Sequence, residues 1–179
     1  MSNHLLPETS DLPIGRQITN VLASKRRLTV VNGGQTGVDR AALDAALHLM
    51  LPCRGWCPSE RWAEDAPIDK RYPLQECGSP TPAVRTELNV IDSDGTLVIS
   101  RGTPEDGTPL TTERAIAHNK PVLEISLDEA PNRSAFWSWI QTHDIRTLNI
   151  GGPRESFSPG HVYEPTFKIL IELLDPTIN

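Results

Sequence analysis

The sequence lacks the long apolar runs of a membrane protein. None of its apolar stretches approaches the roughly 18 residues that a transmembrane helix needs, and no signal-peptide pattern is present. These absences predict a soluble, cytoplasmic protein with no membrane partner. The chain has 179 residues, of which 37% are hydrophobic and 22% are charged. That length and composition are typical of one globular domain with a real core.

Cysteine is scarce. The three cysteines, Cys53, Cys57 and Cys77, do not have the spacing of a zinc site, and no fourth ligand stands at a metal-site spacing. Their odd number in a chain expected to be cytosolic favours reduced thiols. We therefore predict no metal site.

Positively charged residues are also outnumbered: the chain has 17 Lys and Arg and 23 Asp and Glu, which give a net charge of −6. This balance argues against nucleic acid, including single-stranded DNA, as a partner, although a local basic pocket stays open. The motifs also contain no Ser-His-Asp set and no metal-ligand cluster. A protein that only binds its ligand needs neither.

A strand, a glycine turn and a helix start follow one another after residue 27. Residues 28–31 are a short apolar run typical of a buried strand, and apolar residues recur at helical spacing from Val38 to Met50. A helix start behind a glycine turn offers N–H groups to an anion. Neither G-x-G-x-x-G nor the lysine-containing phosphate loop is present, so no standard nucleotide fingerprint matches. The candidate ligand-binding residues of this turn are Gly33, Gly34, Gln35, Thr36, Gly37 and Asp39.

Two later loops have the same character. One follows the strand predicted at 96–100 and the other follows the strand predicted at 147–150, and both are rich in glycine and hydroxyl side chains. Because the carboxyl ends of parallel strands lie at one edge of a sheet, we expect the three loops to form one pocket for a phosphate-bearing or oxyanion ligand. The candidate ligand-binding residues of these loops are Arg101, Gly107, Thr108, Thr111, Gly152, Arg154, Glu155 and Ser156.

Strands and amphipathic helices alternate about five times along the chain. The alternation predicts an α/β, Rossmann-like parallel sheet with helices on both faces. Residues 1–12 are predicted to be a flexible segment, and residues 13–179 a single ligand-binding domain. The connection between 58 and 82 is unusually long for a compact domain, and such connections tend to be functional.

Several motifs resemble those of the putative molybdenum carrier family. They include Gly33–Asp44, Gly55–Pro58, the segment 85–94 and Asn149–Ser156, and they lie in order over about residues 28–174. That family is similar to a permuted branch of the Rossmann-like SLOG superfamily, which includes lysine-decarboxylase-like phosphoribohydrolases. The resemblance implies a homo-oligomer that binds the molybdenum cofactor, a phosphorylated pterin with a dithiolene-held oxo-metal, and passes it to apo-molybdoenzymes.

The same resemblance leaves an enzyme open as the alternative. It would be a nucleotide-binding or nucleoside-monophosphate-processing enzyme of the N-glycosidase or phosphoribohydrolase type, with a nucleotide as its ligand. Those relatives carry a catalytic glutamate and arginine beside a glycine-threonine loop. Here the glutamate after Gly107 is displaced to Glu113, so Arg101 and Glu113 are the candidate catalytic residues, with Glu105 as the alternative carboxylate. Glu113 also suits the first turn of a helix, where its charge favours the dipole.

Overall fold

The structure is a computed structural model that describes residues 28–102 and 108–178. The segment predicted to be flexible, residues 1–12, lies outside these ranges, and so do the candidate ligand residue Gly107 and the alternative carboxylate Glu105. The side chain of Thr108 lies outside them as well, although its backbone begins a helix.

Six parallel strands form one sheet with the order β3-β2-β1-β6-β4-β5. Its strands are β1 Thr29–Val31, β2 Cys53–Cys57, β3 Leu74–Glu76, β4 Gly95–Ser100, β5 Val122–Ser126 and β6 Thr147–Gly151. The described helices are α1 Val38–His48, α2 Pro82–Ile91, α3 Thr108–Ala117, α4 Arg133–Thr142 and α5 Tyr163–Leu174. Short 3-10 turns at Ser59–Arg61 and Glu155–Phe157 complete the elements.

The helices cover both faces of the sheet. Helix α1 packs on α5, with α4 beside them, whereas α2 packs on α3. This division follows from the strand order. The chain moves from β1 to β3 toward one edge of the sheet, and α2 then crosses the other face to reach β4 on the far side of β1. The prediction of a Rossmann-like parallel sheet with helices on both faces is confirmed.

The main core lies between the sheet and the layer of α1, α4 and α5. In β4, Leu97 and Ile99 belong to this core while Val98 is buried on the opposite face, as the period of a strand requires. Leu148 and Ile150 repeat the pattern in β6, beside Leu170 of α5. Among the described helices, none is long and apolar enough to cross a membrane.

The connection from 58 to 82 is more ordered than the sequence indicates. It contains the edge strand Leu74–Glu76, which pairs with β2, so the long connection is not a single loop. The Arg61 guanidinium holds the segment by donating at 2.7–3.0 Å to the carbonyl oxygens of Ile68, Asp69, Tyr72 and Leu74. The strand escaped prediction because it has three residues and only Leu74 points into the core.

Candidate functional site

The loop between β1 and α1 is held by its own side chains. The Gly34 N–H donates to Asn32 Oδ1 at 3.1 Å, and the Gln35 N–H donates to Asp39 Oδ2 at 3.3 Å. The Thr36 N–H donates to the Gln35 side chain at 3.0 Å. These three N–H groups are therefore already paired, and the binding surface of this loop is made of side chains rather than of open backbone.

Asp39 lies beneath that loop and is buried. Its carboxylate pairs with Arg85 of α2 at 3.2 Å, and the Arg85 guanidinium packs against Gly33, where an added Cβ would lie 2.4 Å from Arg85 Nη1. Burial raises the pKa of Asp39, and the charge of Arg85 opposes that rise. Asp39 does not line the cleft described below; it positions the loop that does.

Two of the three predicted loops meet directly. The Val38 N–H donates to the Pro153 carbonyl at 3.1 Å, and the Glu155 N–H donates to Thr36 Oγ1 at 3.2 Å. Gly152 lies tightly against the Ile99 carbonyl, where a Cβ would approach its oxygen to 2.3 Å. The β1–α1 and β6–α5 loops thus form one wall at the carboxyl edge of the sheet.

The third predicted loop is described only in part. Arg101 forms an ion pair with Asp128 at 3.3 Å and donates to Ser158 Oγ at 3.2 Å, so it reaches the β6–α5 side. Thr111 is buried next to Gly151 of β6. Glu113 is exposed on α3.

An open cleft of about 680 Å³ lies between α1, the β6–α5 loop and the segment that follows Arg61. This volume is within the usual range for a small-molecule site. Of the predicted residues, four line it: Thr36, Gly37, Glu155 and Ser156. The other lining residues are Arg40, Asp44, Glu64, Asp65, Arg71, Tyr72, Pro159 and Tyr163.

The carboxylate of Glu64 lines the cleft beside the two loops that meet. It accepts hydrogen bonds from the Thr36 hydroxyl, from the Ser156 N–H at 3.1 Å and from the Ser156 hydroxyl at 2.6 Å. Burial raises the pKa of Glu64, but the hydrogen bonds from Ser156 and Thr36 outweigh burial and lower the pKa below its ordinary value, with help from the charge of Arg154. The two predicted loops therefore already stabilise one anionic group.

The opposite wall is built around Asp44. Its carboxylate accepts from the Tyr72 hydroxyl at 2.8 Å, from the Tyr163 hydroxyl at 2.7 Å and from Arg71 at 3.1 Å. Burial and the adjacent carboxylate raise the pKa of Tyr163, so its phenol stays protonated and remains a donor. The Arg71 guanidinium lies 4.7 Å from the centroid of the buried Tyr72 ring, which fixes a cation at the rim.

Arg40 of α1 connects the β1–α1 loop to the segment that follows Arg61. Its Nε donates to the Gly34 carbonyl at 3.3 Å, and its two terminal nitrogens reach the Asp65 carboxylate at 3.3 and 3.4 Å. Its charge is therefore shared with an exposed acid. In the lining of the cleft, two arginines stand against four carboxylates: Asp44, Glu64, Asp65 and Glu155.

Glu155 has a structural role in addition to lining the cleft. Its carboxylate accepts from the Gly160 and Tyr163 N–H groups, both at 2.7 Å, and so caps the start of α5. The sequence did not reveal this, because the cap stands eight residues before Tyr163 instead of directly before the helix.

Replacing Glu155 with alanine should lower the free energy of unfolding by about 1 kcal/mol, as expected for a lost helix cap. Urea unfolding measures the change. Glu113→Ala, at an exposed position on α3, is the control and should stay within about 0.5 kcal/mol of the wild type. An E155A protein of unchanged stability would show that the cap contributes nothing.

The part of the chain that the structure describes contains no metal-ligand cluster. Within residues 28–102 and 108–178, no three His, Cys, Asp or Glu side chains are grouped to hold an ion. Cys53, Cys57 and Cys77 are free thiols, and burial raises the pKa of Cys57. Strand β2 therefore does not carry a reactive thiolate of low pKa.

Sequence reasoning did not select several residues that build the cleft: Arg40, Asp44, Glu64, Tyr72 and Tyr163. One signal was available, because Arg40 and Asp44 are four residues apart and must share a face of α1. A second was the length of the connection that carries Glu64 and Tyr72. The position of Tyr163 depends on the packing of α5 on α1, which no local pattern reveals.

Comparisons with known proteins agree with this fold. The chain is similar to a protein from Syntrophus aciditrophicus SB, named as a putative molybdenum carrier protein, whose crystal structure was determined at 1.45 Å. The two are 41% identical, and the match has a TM-score of 0.76 and covers 83% of this chain and 95% of that one. No curated protein matches the chain. Residues 30–174, which include the whole cleft, match the family described as circularly permutated YpsA SLOG. The chain belongs to the circularly permutated YpsA SLOG family.

Proposed function

We propose that this protein is a carrier that binds the molybdenum cofactor in the cleft between α1 and α5. An oxyanion of the cofactor, either its phosphate or its oxo-metal end, binds in the cleft beside Thr36 and Ser156. The remainder of the ligand lies toward the wall formed by Asp44, Arg71 and Tyr163. The name of the structural neighbour supports the choice of ligand, and the cleft volume suits a molecule of that size.

One observation carries the proposal: three donors from two predicted loops converge on a single carboxylate. The Thr36 hydroxyl, the Ser156 N–H and the Ser156 hydroxyl all donate to Glu64. A carboxylate and a phosphate or oxo-metal group present similar oxygen acceptors. A site that holds one of these anions is therefore suited to another.

The carboxylates of the cleft favour binding over catalysis. A general base needs a pKa near the working pH and a free path to its substrate. The pKa of Glu64 is lowered instead, and Glu155 is occupied by the helix cap. Asp44 and Asp65 each face an arginine.

Two further properties belong to the same proposal. As a carrier, the protein passes the cofactor to apo-molybdoenzymes, and an open cleft allows such a transfer. Assembly into a homo-oligomer stays a prediction. A nucleotide is the competing ligand, since its phosphate could use the same donors.

The proposal is tested by the molybdenum and pterin content of the protein, purified without oxygen from a host that makes the cofactor. We expect both in near-stoichiometric amounts in the wild type. The T36A/S156A variant should contain at least about tenfold less molybdenum and pterin, because hydrogen bonds to a charged group contribute roughly 1.5–3 kcal/mol each.

Ser138→Ala is the matched control, because Ser138 is exposed on α4, an element that does not line the cleft. It should retain the wild-type content of both molybdenum and pterin. A wild-type protein without either, whose melting temperature rises with nucleotides, would show that the cleft is a nucleotide site and would refute the proposal.

A further inference from the structure

Glu64 stands in the position that the proposed function gives to the anionic group of the ligand. Its carboxylate uses the Thr36 hydroxyl and both donors of Ser156, and one of those bonds is only 2.6 Å long. A second anion cannot use the same donors while the carboxylate is there. It would also be repelled, because like charges at close range in a partly desolvated site oppose each other strongly.

Hydrogen bonds hold the backbone around Glu64 in place. The Glu64 N–H donates to the Gln35 side chain at 3.0 Å, and the four bonds of Arg61 fix the segment on either side of it. The carboxylate can therefore leave its donors by rotating its side chain, without movement of the loop. The cleft is open to solvent, and Glu64 is only half-buried.

We propose that Glu64 is an internal competitor of the ligand: its carboxylate fills the oxyanion position of the free protein and must rotate out before the ligand binds. This inference rests on the proposed function. It assigns Glu64 a role in specificity, since discrimination often depends on a repulsive element as well as an attractive one. Small inorganic anions gain too little to displace the carboxylate. A larger ligand that also contacts the Asp44 wall can do so.

The test uses inorganic phosphate and molybdate as probes, with affinities measured by titration calorimetry. Glu64→Gln and Glu64→Ala should bind both anions about tenfold tighter than the wild type or better, because the competing charge is gone and the donors remain. Glu60→Gln is the matched control. It removes an equal charge from an exposed position of the same segment and should leave both affinities unchanged.

A double variant identifies where the gained affinity arises. E64A/T36A should lose most of the gain seen in E64A, because one of the vacated donors is missing. Thermal unfolding confirms that each variant is folded, and E64Q carries the test if E64A is not, since glutamine keeps the shape and an acceptor oxygen.

The two proposals fail in different ways. If the wild type contains cofactor but E64Q and E64A bind the anions equally or more weakly, Glu64 is not a competitor and only this inference is overturned. If the wild type contains no cofactor and none of the variants binds either anion, the proposed function is overturned and this inference falls with it.

Discussion

Replacing Arg85 with alanine should lower the free energy of unfolding by about 3–5 kcal/mol, because it leaves a buried carboxylate without its partner. Asp39 is 3% exposed and pairs with Arg85 at 3.2 Å. The guanidinium also packs against Gly33, so its loss opens a space beneath the β1–α1 loop. Urea unfolding at neutral pH measures the effect. Arg146→Ala is the control, because its pair with Asp144 is largely exposed and should contribute less than about 1 kcal/mol.

The defect of R85A should depend on pH. Burial raises the pKa of Asp39, and removal of Arg85 takes away the largest opposing charge, so the pKa in the variant rises further. A carboxyl group with a raised pKa in the folded state destabilises the folded protein least when it is protonated. The difference in stability between R85A and wild type should therefore be largest at neutral pH and shrink as the pH falls through the pKa of Asp39. A constant difference would show that the lost pair is not the cause.

Replacing Gly37 with alanine should cost roughly 3 kcal/mol of stability and abolish ligand binding. Gly37 has φ of 70°, and a Cβ there would lie 2.5 Å from the Pro153 carbonyl oxygen and 2.8 Å from Arg154 C. Relief of that clash must separate the β1–α1 loop from the β6–α5 loop. The donors of Thr36 and Ser156 would then no longer converge.

Gly160→Ala is the matched control for Gly37→Ala. Gly160 has φ of 79°, but a Cβ there meets nothing within 4 Å. Gly160→Ala should lower the free energy of unfolding by about 1–2 kcal/mol, which is the cost of the backbone strain alone. Equal losses of stability in the two variants, with ligand binding retained in G37A, would show that contact between the loops is not needed for the site.

The sequence was most informative where one local pattern determines the structure. The strand at 28–31 and the helix that begins at Val38 were predicted within a few residues, because strand burial and helical period are both visible in the chain. The edge strand Leu74–Glu76 was not predicted, since a strand of three residues has no period to detect. The segment that contains it is held by the hydrogen bonds that Arg61 donates to four carbonyl groups.

The same limit applies to the candidate site. Glycine turns after strands indicated two loops that do meet at the sheet edge, as the bond between Val38 and Pro153 shows. They could not reveal that Asn32 and Asp39 would pair with the N–H groups of Gly34 and Gln35. Nor could they reveal that Glu64, 28 residues away from Thr36 in the chain, would supply the anion. Such pairings depend on long-range packing and have no local signature.

The account is tested most directly by locating the molybdenum in crystals of the protein, isolated without oxygen from a host that makes the cofactor. Anomalous scattering at the molybdenum absorption edge identifies the metal without ambiguity. We expect the metal and its pterin inside the cleft between α1 and α5, with an oxyanion oxygen within hydrogen-bonding distance of Thr36 Oγ1 and Ser156 N, and with Glu64 rotated away. Molybdenum bound outside this cleft would contradict the account.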